Sequence, residues 1–139
     1  ATEWIGASHL IRSRGGRRLS IALPPVQAWN AWFTWFGNSV EGYRPMRDTV
    51  DAACLAVGRD PTEVERTVAL FVAFPGALGR SLGDLKEADV SPISSDPAAL
   101  AATLRAFAAE GGGHVQLVLD PITIETIAAV APALALLDA

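Results

Sequence analysis

Cysteine is nearly missing from this sequence, which contains Cys54 alone among its 139 residues. A single thiol cannot form an intrachain disulfide, and it excludes a cysteine-rich zinc site. Because Cys54 lies among alanines on a predicted helix, we expect it to be a buried and unreactive thiol.

Long apolar runs and an excess of basic charge are missing as well. No apolar stretch approaches the ~20 residues of a membrane-spanning helix, and no leader of the signal-peptide type is visible. The formal net charge is −4, which gives no electrostatic footprint for nucleic acid. We therefore expect a cytoplasmic protein that binds neither membrane nor nucleic acid. The first residues, Ala-Thr-Glu rather than Met, are compatible with processing or with one part of a longer protein.

The common catalytic motifs are absent from the sequence. We find no Walker A loop, nucleophile elbow, His-x-x-x-His pair or obvious carboxylate dyad, and the dinucleotide spacing Gly-x-Gly-x-x-Gly is missing. The sequence therefore predicts no metal site and identifies no catalytic residue.

The apolar pattern is typical of one folded α/β domain covering residues 1–139. Strands are predicted near 4–7, 26–29, 66–74 and 115–119, and helices near 17–23, 44–57, 97–110 and 121–137, with a short helix around 82–88. Strands that alternate with helices predict a parallel sheet of about four consecutive β/α units. The nearly continuous apolar runs of the last two strands predict burial on both faces.

Two Asp-Pro pairs occur in the second half of the chain. Asp96-Pro97 and Asp120-Pro121 each predict a helix start, with the aspartate as N-cap and the proline in the first turn. Asp120 also lies at the carboxyl end of a predicted strand and could be catalytic by position, but helix capping is the simpler interpretation. The helix that follows the second pair is almost wholly apolar from Ile122 to Leu137, so we expect it to be buried.

A loop rich in serine, glycine and arginine follows the first predicted strand and precedes a helix. Such a loop presents free backbone N–H groups and the positive helix end to an anion. The residues concerned are Ser8, Ser13, Arg14, Gly15, Gly16 and Arg17. The alternative is a solvated arginine-rich loop with no ligand.

Aromatic residues and histidines give weaker signals. Trp29 and Asn30 follow a predicted strand end, where a barrel site would lie. For Trp32 and Trp35, core packing is the preferred interpretation over a ring-stacking wall. His9 follows a strand end and could reach a site, whereas His114 begins a strand and is expected to be structural.

Three segments resemble one enzyme family. Arg14-Gly-Gly-Arg-Arg-Leu through Asn30, Asp51-Ala-Ala-Cys-Leu-Ala-Val-Gly-Arg-Asp-Pro61 with the strand after it, and Phe107 through Asp120-Pro121 are similar to segments of luciferase-like monooxygenases and their deazaflavin-dependent relatives. The resemblance covers nearly the whole chain but only the second half of the family's (β/α)₈ TIM barrel. Gln27 stands where the family has an aspartate, and the first four or so barrel strands have no counterpart here.

The resemblance implies a flavin-type oxidoreductase that acts on a small-molecule substrate. The cofactor would be FMN or the deazaflavin coenzyme F-420, which share a phosphate handle. The cofactor-binding residues implied are Gly6, Ala7, Ser8, Ser13, Arg14, Gly15, Gly16, Arg17, Trp29 and Asn30. The chain would form a homo-oligomer or pair with a missing N-terminal barrel half.

Two further hypotheses stay open from the sequence. The chain could be a catalytically inactive, truncated half-barrel that self-associates, because four unclosed parallel strands expose sheet edges. It could also be a small flavodoxin-like binding module, although the apolar last helix does not suit helices with polar outer faces.

Overall fold

The computed structural model of this protein describes residues 4–6, 26–79, 81–82, 85–86 and 90–139. Within these ranges a parallel sheet packs against helices, which confirms the predicted α/β class. The strands are β1 (Trp4–Gly6), β2 (Ala28–Trp32), β3 (Glu65–Ala73), β4 (Ser81–Leu82), β5 (Leu85–Lys86), β6 (Ile93–Ser94) and β7 (His114–Asp120). The helices are α1 (Phe33–Phe36), α2 (Val40–Ala56), α3 (Pro97–Ala109), α4 (Ile124–Ala129) and α5 (Ala131–Leu137), with a 3₁₀ turn at Pro61–Glu63.

Strands β1, β2, β3 and β7 are neighbours in the order in which they occur along the chain. β1 pairs with β2, β2 with β3 and β3 with β7, and all three pairings are parallel. The short strand β6 pairs in parallel with the last residues of β3, beyond the point where its pairing with β2 ends. Strands β4 and β5 form a separate antiparallel pair.

The central strand β3 is buried on both faces, as its continuous apolar run predicted. Residues 67–72 are all buried, and the neighbouring strands β2 and β7 cover its two edges. In β7 the prediction of double burial is wrong for the first half. His114 is exposed, and Val115 and Leu117 are only partly buried. The reason is that, among the described residues, no strand pairs with the outer edge of β7.

Helices α2 and α3 cover one face of the sheet. In α2 the buried residues Tyr43, Met46, Val50 and Cys54 recur every three or four positions, as an amphipathic helix requires. The rings of Tyr43 on α2 and Phe107 on α3 approach to 5.6 Å between centroids, so the two helices share one core. Cys54 is fully buried, which confirms the predicted burial of this cysteine, and burial raises the pKa of its thiol.

The start of α3 follows the sequence prediction closely. The Asp96 carboxylate accepts a hydrogen bond from the backbone N–H of Ala99 at 3.0 Å, and Pro97 occupies the first helical turn. Helix α2 begins earlier than the predicted residue 44, because the Ser39 hydroxyl caps it by accepting from the backbone N–H of Gly42. Strand β2 runs three residues further than predicted, to Trp32.

The predicted short helix around residues 82–88 is wrong where the structure describes it. Ser81–Leu82 and Leu85–Lys86 are extended and pair antiparallel. Glycine is a poor helix former, and a Gly-Asp pair between two short extended runs is a common hairpin sequence.

The predicted N-cap role of Asp120 is also wrong. Strand β7 continues through Asp120, and the cap of α4 is Thr123, whose hydroxyl accepts from the backbone N–H of Thr126 at 3.2 Å. Pro132 lies in the first turn of α5, so the predicted single helix is divided at Val130. The apolar faces of α4 and α5 are not buried as expected: Ile124 is 82% and Ile127 58% exposed. No helix among the described residues could span a membrane.

Candidate functional site

The carboxyl ends of the parallel strands meet at one edge of the sheet. This edge is where ligands bind in α/β proteins, because strand ends and the loops after them supply side chains and free backbone groups there. Here β1 ends at Gly6, β2 at Trp32, β3 at Ala73 and β7 at Asp120. The side chains near these strand ends come from both faces of the sheet.

Strand register assigns the residues to two faces. Trp29 lies beside Arg66, and Asn30 lies beside Thr67. Because successive side chains of a strand point to opposite faces, Asn30 and Thr67 lie on the face opposite Trp29 and Arg66. The Arg66 guanidinium pairs with Asp51 of α2 at 2.8 Å, so the Trp29 side is the face covered by helices.

Trp29 is a core residue of the helix-covered face. Its ring stacks on Tyr43, with centroids 5.8 Å apart and planes inclined by 11°, and the residue is 3% exposed. The sequence predicted Trp29 and Asn30 as neighbours in one binding site. The structure instead separates them onto opposite faces, with only Asn30 on the side away from α2.

Asn30 is held by a hydrogen bond across the sheet. The hydroxyl of Thr67, a residue with no exposed surface, donates to Asn30 Oδ1 at 2.7 Å and lies 3.2 Å from the backbone oxygen of Trp29, a second acceptor for its single proton. Because the amide oxygen faces Thr67, the Asn30 NH₂ group faces away from it and can donate to a ligand. Gly6, the last residue of β1, is the register partner of Asn30. Of the residues predicted to bind cofactor, Gly6 and Asn30 are thus brought together.

Trp32 is the tryptophan at the carboxyl edge on the same face as Asn30. It is two residues beyond Asn30 in β2, it lies beside Ala69 in register, and it is partly buried. Its ring contacts that of Phe33, with centroids 4.9 Å apart. Trp32 therefore belongs only partly to the predicted core, because part of the residue remains exposed.

Asp120 contributes a buried carboxylate on the same face, at the carboxyl end of β7 and six residues beyond the register row of Asn30. The residue is 8% exposed, and its Oδ2 accepts a hydrogen bond from the backbone N–H of Gly79 at 2.8 Å. Its backbone oxygen accepts from the N–H of Phe74 at 2.9 Å. Asp120 thereby fastens the loop that follows β3, on which Leu78 is 93% exposed. Sequence reasoning had assigned this carboxylate to the next helix.

Asn38 is a buried polar residue that sequence reasoning did not single out. Its amide nitrogen donates to the oxygens of Phe71 (2.8 Å) and Ser91 (3.0 Å), and its amide oxygen accepts from the N–H of Phe71 at 2.9 Å. The two bonds to Phe71 satisfy its backbone N–H and oxygen on the edge of β3, between the residues that pair with β2 and those that pair with β6. The signal was the Gly37-Asn38 pair, since both residues adopt positive φ.

The remaining predicted site residues have different outcomes. Ala7, Ser8, Ser13, Arg14, Gly15, Gly16 and Arg17 lie outside the described residues, and so does His9. His114 begins β7, is exposed, and lies in the same register row as Thr67 and Asn30, so its predicted structural role stays a prediction. Among residues 26–79 and 90–139 no cluster of histidine, cysteine, aspartate and glutamate could hold a metal ion.

Comparison with known proteins adds no assignment for this chain. No protein-family model matches it, and a search of curated proteins finds no significant match.

Proposed function

We propose that this chain supplies the cofactor-phosphate half of a flavin-type oxidoreductase, built as the second half of a (β/α)₈ barrel. The observation that carries the proposal is the strand order. Strands β1, β2, β3 and β7 are parallel, and they lie side by side in the sheet in the same order in which they occur along the chain. Helices α2 and α3 lie on one face of this sheet. A doubly wound sheet of flavodoxin type reverses its strand order and places helices on both faces, so this topology favours the barrel.

The donors at the carboxyl edge suit the phosphate end of FMN or coenzyme F-420. Gly6 has no side chain, so a ligand can approach its backbone closely beside Asn30. Asn30, oriented by Thr67, offers an amide N–H to an anionic oxygen. The serine, glycine and arginine residues predicted for anion binding, Ser8 to Arg17, begin two residues after Gly6 in the sequence.

The carboxylate of Asp120 is well separated from this phosphate position. β7 lies three strand spacings of about 4.8 Å from β1, and Asp120 lies six residues, roughly 20 Å, along the sheet from the row of Gly6 and Asn30, so electrostatic repulsion of a phosphate is weak there. Asp120 and the loop it holds, with Leu78, instead face the region where a substrate would meet the ring. When bound, such a cofactor supplies hydride exchange or oxygen activation, while these residues orient it and exclude water.

The test is a titration of the purified 139-residue chain with FMN and with coenzyme F-420, followed by fluorescence quenching. We expect a dissociation constant below about 1 mM for one of them. Riboflavin, which lacks the phosphate, should bind at least tenfold more weakly than FMN. Arg14→Gln with Arg17→Gln should weaken binding of the phosphorylated cofactor by more than tenfold and leave riboflavin unchanged. Absence of binding by both cofactors would reject the proposal.

Arg44→Gln is the matched control for this experiment. Arg44 lies on α2 and pairs with Glu110 of α3 at 2.7 Å, on the helix layer and away from the carboxyl edge. Its substitution should leave cofactor affinity unchanged. An equal loss of cofactor affinity in this variant would show that the net charge of the protein, and not a phosphate site, governs binding.

A second candidate function is an inactive half-barrel that self-associates or pairs with a separate N-terminal half. Two observations favour it: the outer edge of β7 has no strand partner among the described residues, and Ile124 and Ile127 are exposed. Sedimentation velocity together with the cofactor titration discriminates the two, because the self-associated form of this alternative predicts a dimer or larger species that binds neither cofactor. A monomer that binds cofactor would contradict it.

A further inference from the structure

A groove of about 410 Å³ lies on the helix-covered face, between α3, the first half of β7 and α5. Its volume falls within the range of roughly 300–1,000 Å³ that small-molecule sites occupy. The walls are aliphatic and come from all three elements: Leu104, Ala108, Val115, Leu117, Leu134 and Leu137.

The aliphatic walls of this groove are incompletely covered. Val115 and Leu117 are half-buried in β7, while Leu134 is 46% and Leu137 37% exposed. Apolar surface in contact with water is unfavourable, so a ligand with an apolar body gains free energy by displacing that water.

Arg105 is the single polar side chain among the groove residues. One guanidinium nitrogen donates to the backbone oxygen of Leu136, which holds the side chain across the groove toward α5. None of the carboxylates in residues 26–79 and 90–139 forms an ion pair with it. The stem of Arg105 can cover apolar surface while its charged end faces the groove mouth.

We propose that this groove binds a medium-chain carboxylate, with the alkyl chain against the leucines and the carboxylate on Arg105. One cation in an otherwise aliphatic lining matches a ligand with one anionic group and an apolar body. A second protein surface would need further polar partners at its rim, and the lining offers none. Val115 and Leu117 lie on the helix-covered face, opposite that of Asn30, so this site is distinct from the proposed cofactor site and independent of it.

The test is a titration of the isotopically labelled chain with sodium decanoate, followed by methyl NMR. We expect saturable shifts of the Leu104, Leu117 and Leu134 methyl groups. Decanol, which has the same chain without the charge, should bind about fivefold more weakly, the size of an exposed charge contact. Shifts confined to the exposed isoleucines of α4 would overturn the proposal.

Two pairs of variants separate the groove from general hydrophobic adsorption. Ala108→Phe fills the groove and should weaken decanoate binding by at least tenfold, whereas Ala102→Phe, at an exposed position on the same helix but outside the groove, should not. Arg105→Gln should lower the affinity for decanoate to that for decanol. Arg105→Lys, which keeps the charge, should retain most of the difference between these two affinities.

The contrary results are equally specific. Unchanged decanoate affinity in Ala108→Phe would place the ligand elsewhere, and equal affinity for decanoate and decanol in the unmodified chain would remove the role of Arg105. Concentration-dependent shifts of the groove methyl groups without any response to decanoate would identify a second copy of the chain as the occupant. A failure of FMN or F-420 binding leaves every one of these outcomes unaffected.

Discussion

Tyr43 is the single tyrosine of the chain and lies at the centre of its aromatic core. Its ring contacts Trp29, Phe36 and Phe107, with centroids 5.6–5.9 Å apart, and the residue has no exposed surface. The hydroxyl is buried without a hydrogen-bond partner among the described residues. The ring therefore stabilises the core through packing, while the hydroxyl opposes folding because it loses its contacts with water.

Removing this hydroxyl should not destabilise the protein. We expect Tyr43→Phe to keep the ring contacts and to change the free energy of unfolding by between zero and about +1 kcal/mol in favour of the fold. Urea denaturation measures the change. Tyr43→Ala, which removes the ring as well, should cost ~3–5 kcal/mol. A loss of more than ~1 kcal/mol in the phenylalanine variant would reveal a partner for the hydroxyl.

The same residue predicts a loss of stability at high pH. Burial raises the pKa of Tyr43 to about 12, with nearby Arg66 acting in the opposite direction. The folded state holds the phenol proton more tightly than the unfolded chain, whose tyrosine ionises near pH 10. The stability that the folded state gains by keeping this phenol protonated is therefore fully present below pH 10, and it is lost as the pH rises from about 10 to 12. The ultraviolet absorbance of phenolate, compared between native and urea-unfolded protein, measures both pKa values.

At the scale of elements, the junction between α1 and α2 is closely packed. Gly42 lies in the first turn of α2, and its backbone N–H is bound by the Ser39 hydroxyl. A Cβ atom built on Gly42 would overlap the backbone oxygen of Phe36, at the end of α1. The glycine is required by this close approach rather than by an unusual φ angle.

Gly42→Ala should therefore be destabilising, although alanine is normally the better helix former by ~1 kcal/mol. The backbone of α1 has to move, and we expect a cost of ~1–3 kcal/mol in chemical denaturation. Glu41→Ala, at the preceding exposed position of the same helix, is the control and should change stability by less than ~0.5 kcal/mol. A Gly42→Ala variant that is more stable than the unmodified protein would contradict the close approach of the two helices.

At the scale of the whole molecule, helices cover one face of the sheet and both edges of β3 are paired, whereas no strand within the described part of the chain pairs with the outer edge of β7. The exposed apolar side chains of α4 and α5 lie in the segment that follows this strand. Sequence reasoning expected this last helical segment to be buried. Only Val130 and Ala133 of this segment join the core, so its exposed residues, such as Ile124 and Ile127, contribute little to the stability of a single molecule.

Charged substitutions on α4 test this position. We expect Ile124→Lys with Ile127→Lys to change the unfolding free energy of the monomer by less than ~0.5 kcal/mol per site, because both side chains are already exposed. If the chain self-associates through this surface, the double variant should sediment as a smaller species. A loss of several kcal/mol at a concentration where the chain is monomeric would show that these side chains are buried after all.

The sequence by itself determined the local elements of this protein. Apolar patterning predicted the α/β class and the double burial of β3, and Asp96-Pro97 predicted the start of α3, because periodicity and caps depend on neighbouring residues in the chain. The same reasoning failed for Asp120, which carries the same Asp-Pro signal as Asp96. There, a contact with Gly79, 41 residues away, decides the role of the carboxylate.

Only the tertiary structure decided which face each site residue occupies. A one-residue difference in a strand reverses the direction of a side chain, so Trp29 entered the core and Asn30 reached the opposite face. No local pattern showed that Asn38 would satisfy the edge of β3, or that Gly6 would lie beside Asn30, because both depend on strand pairing across the sheet. The order of those strands, which carries the proposed function, is likewise a property of long-range pairing.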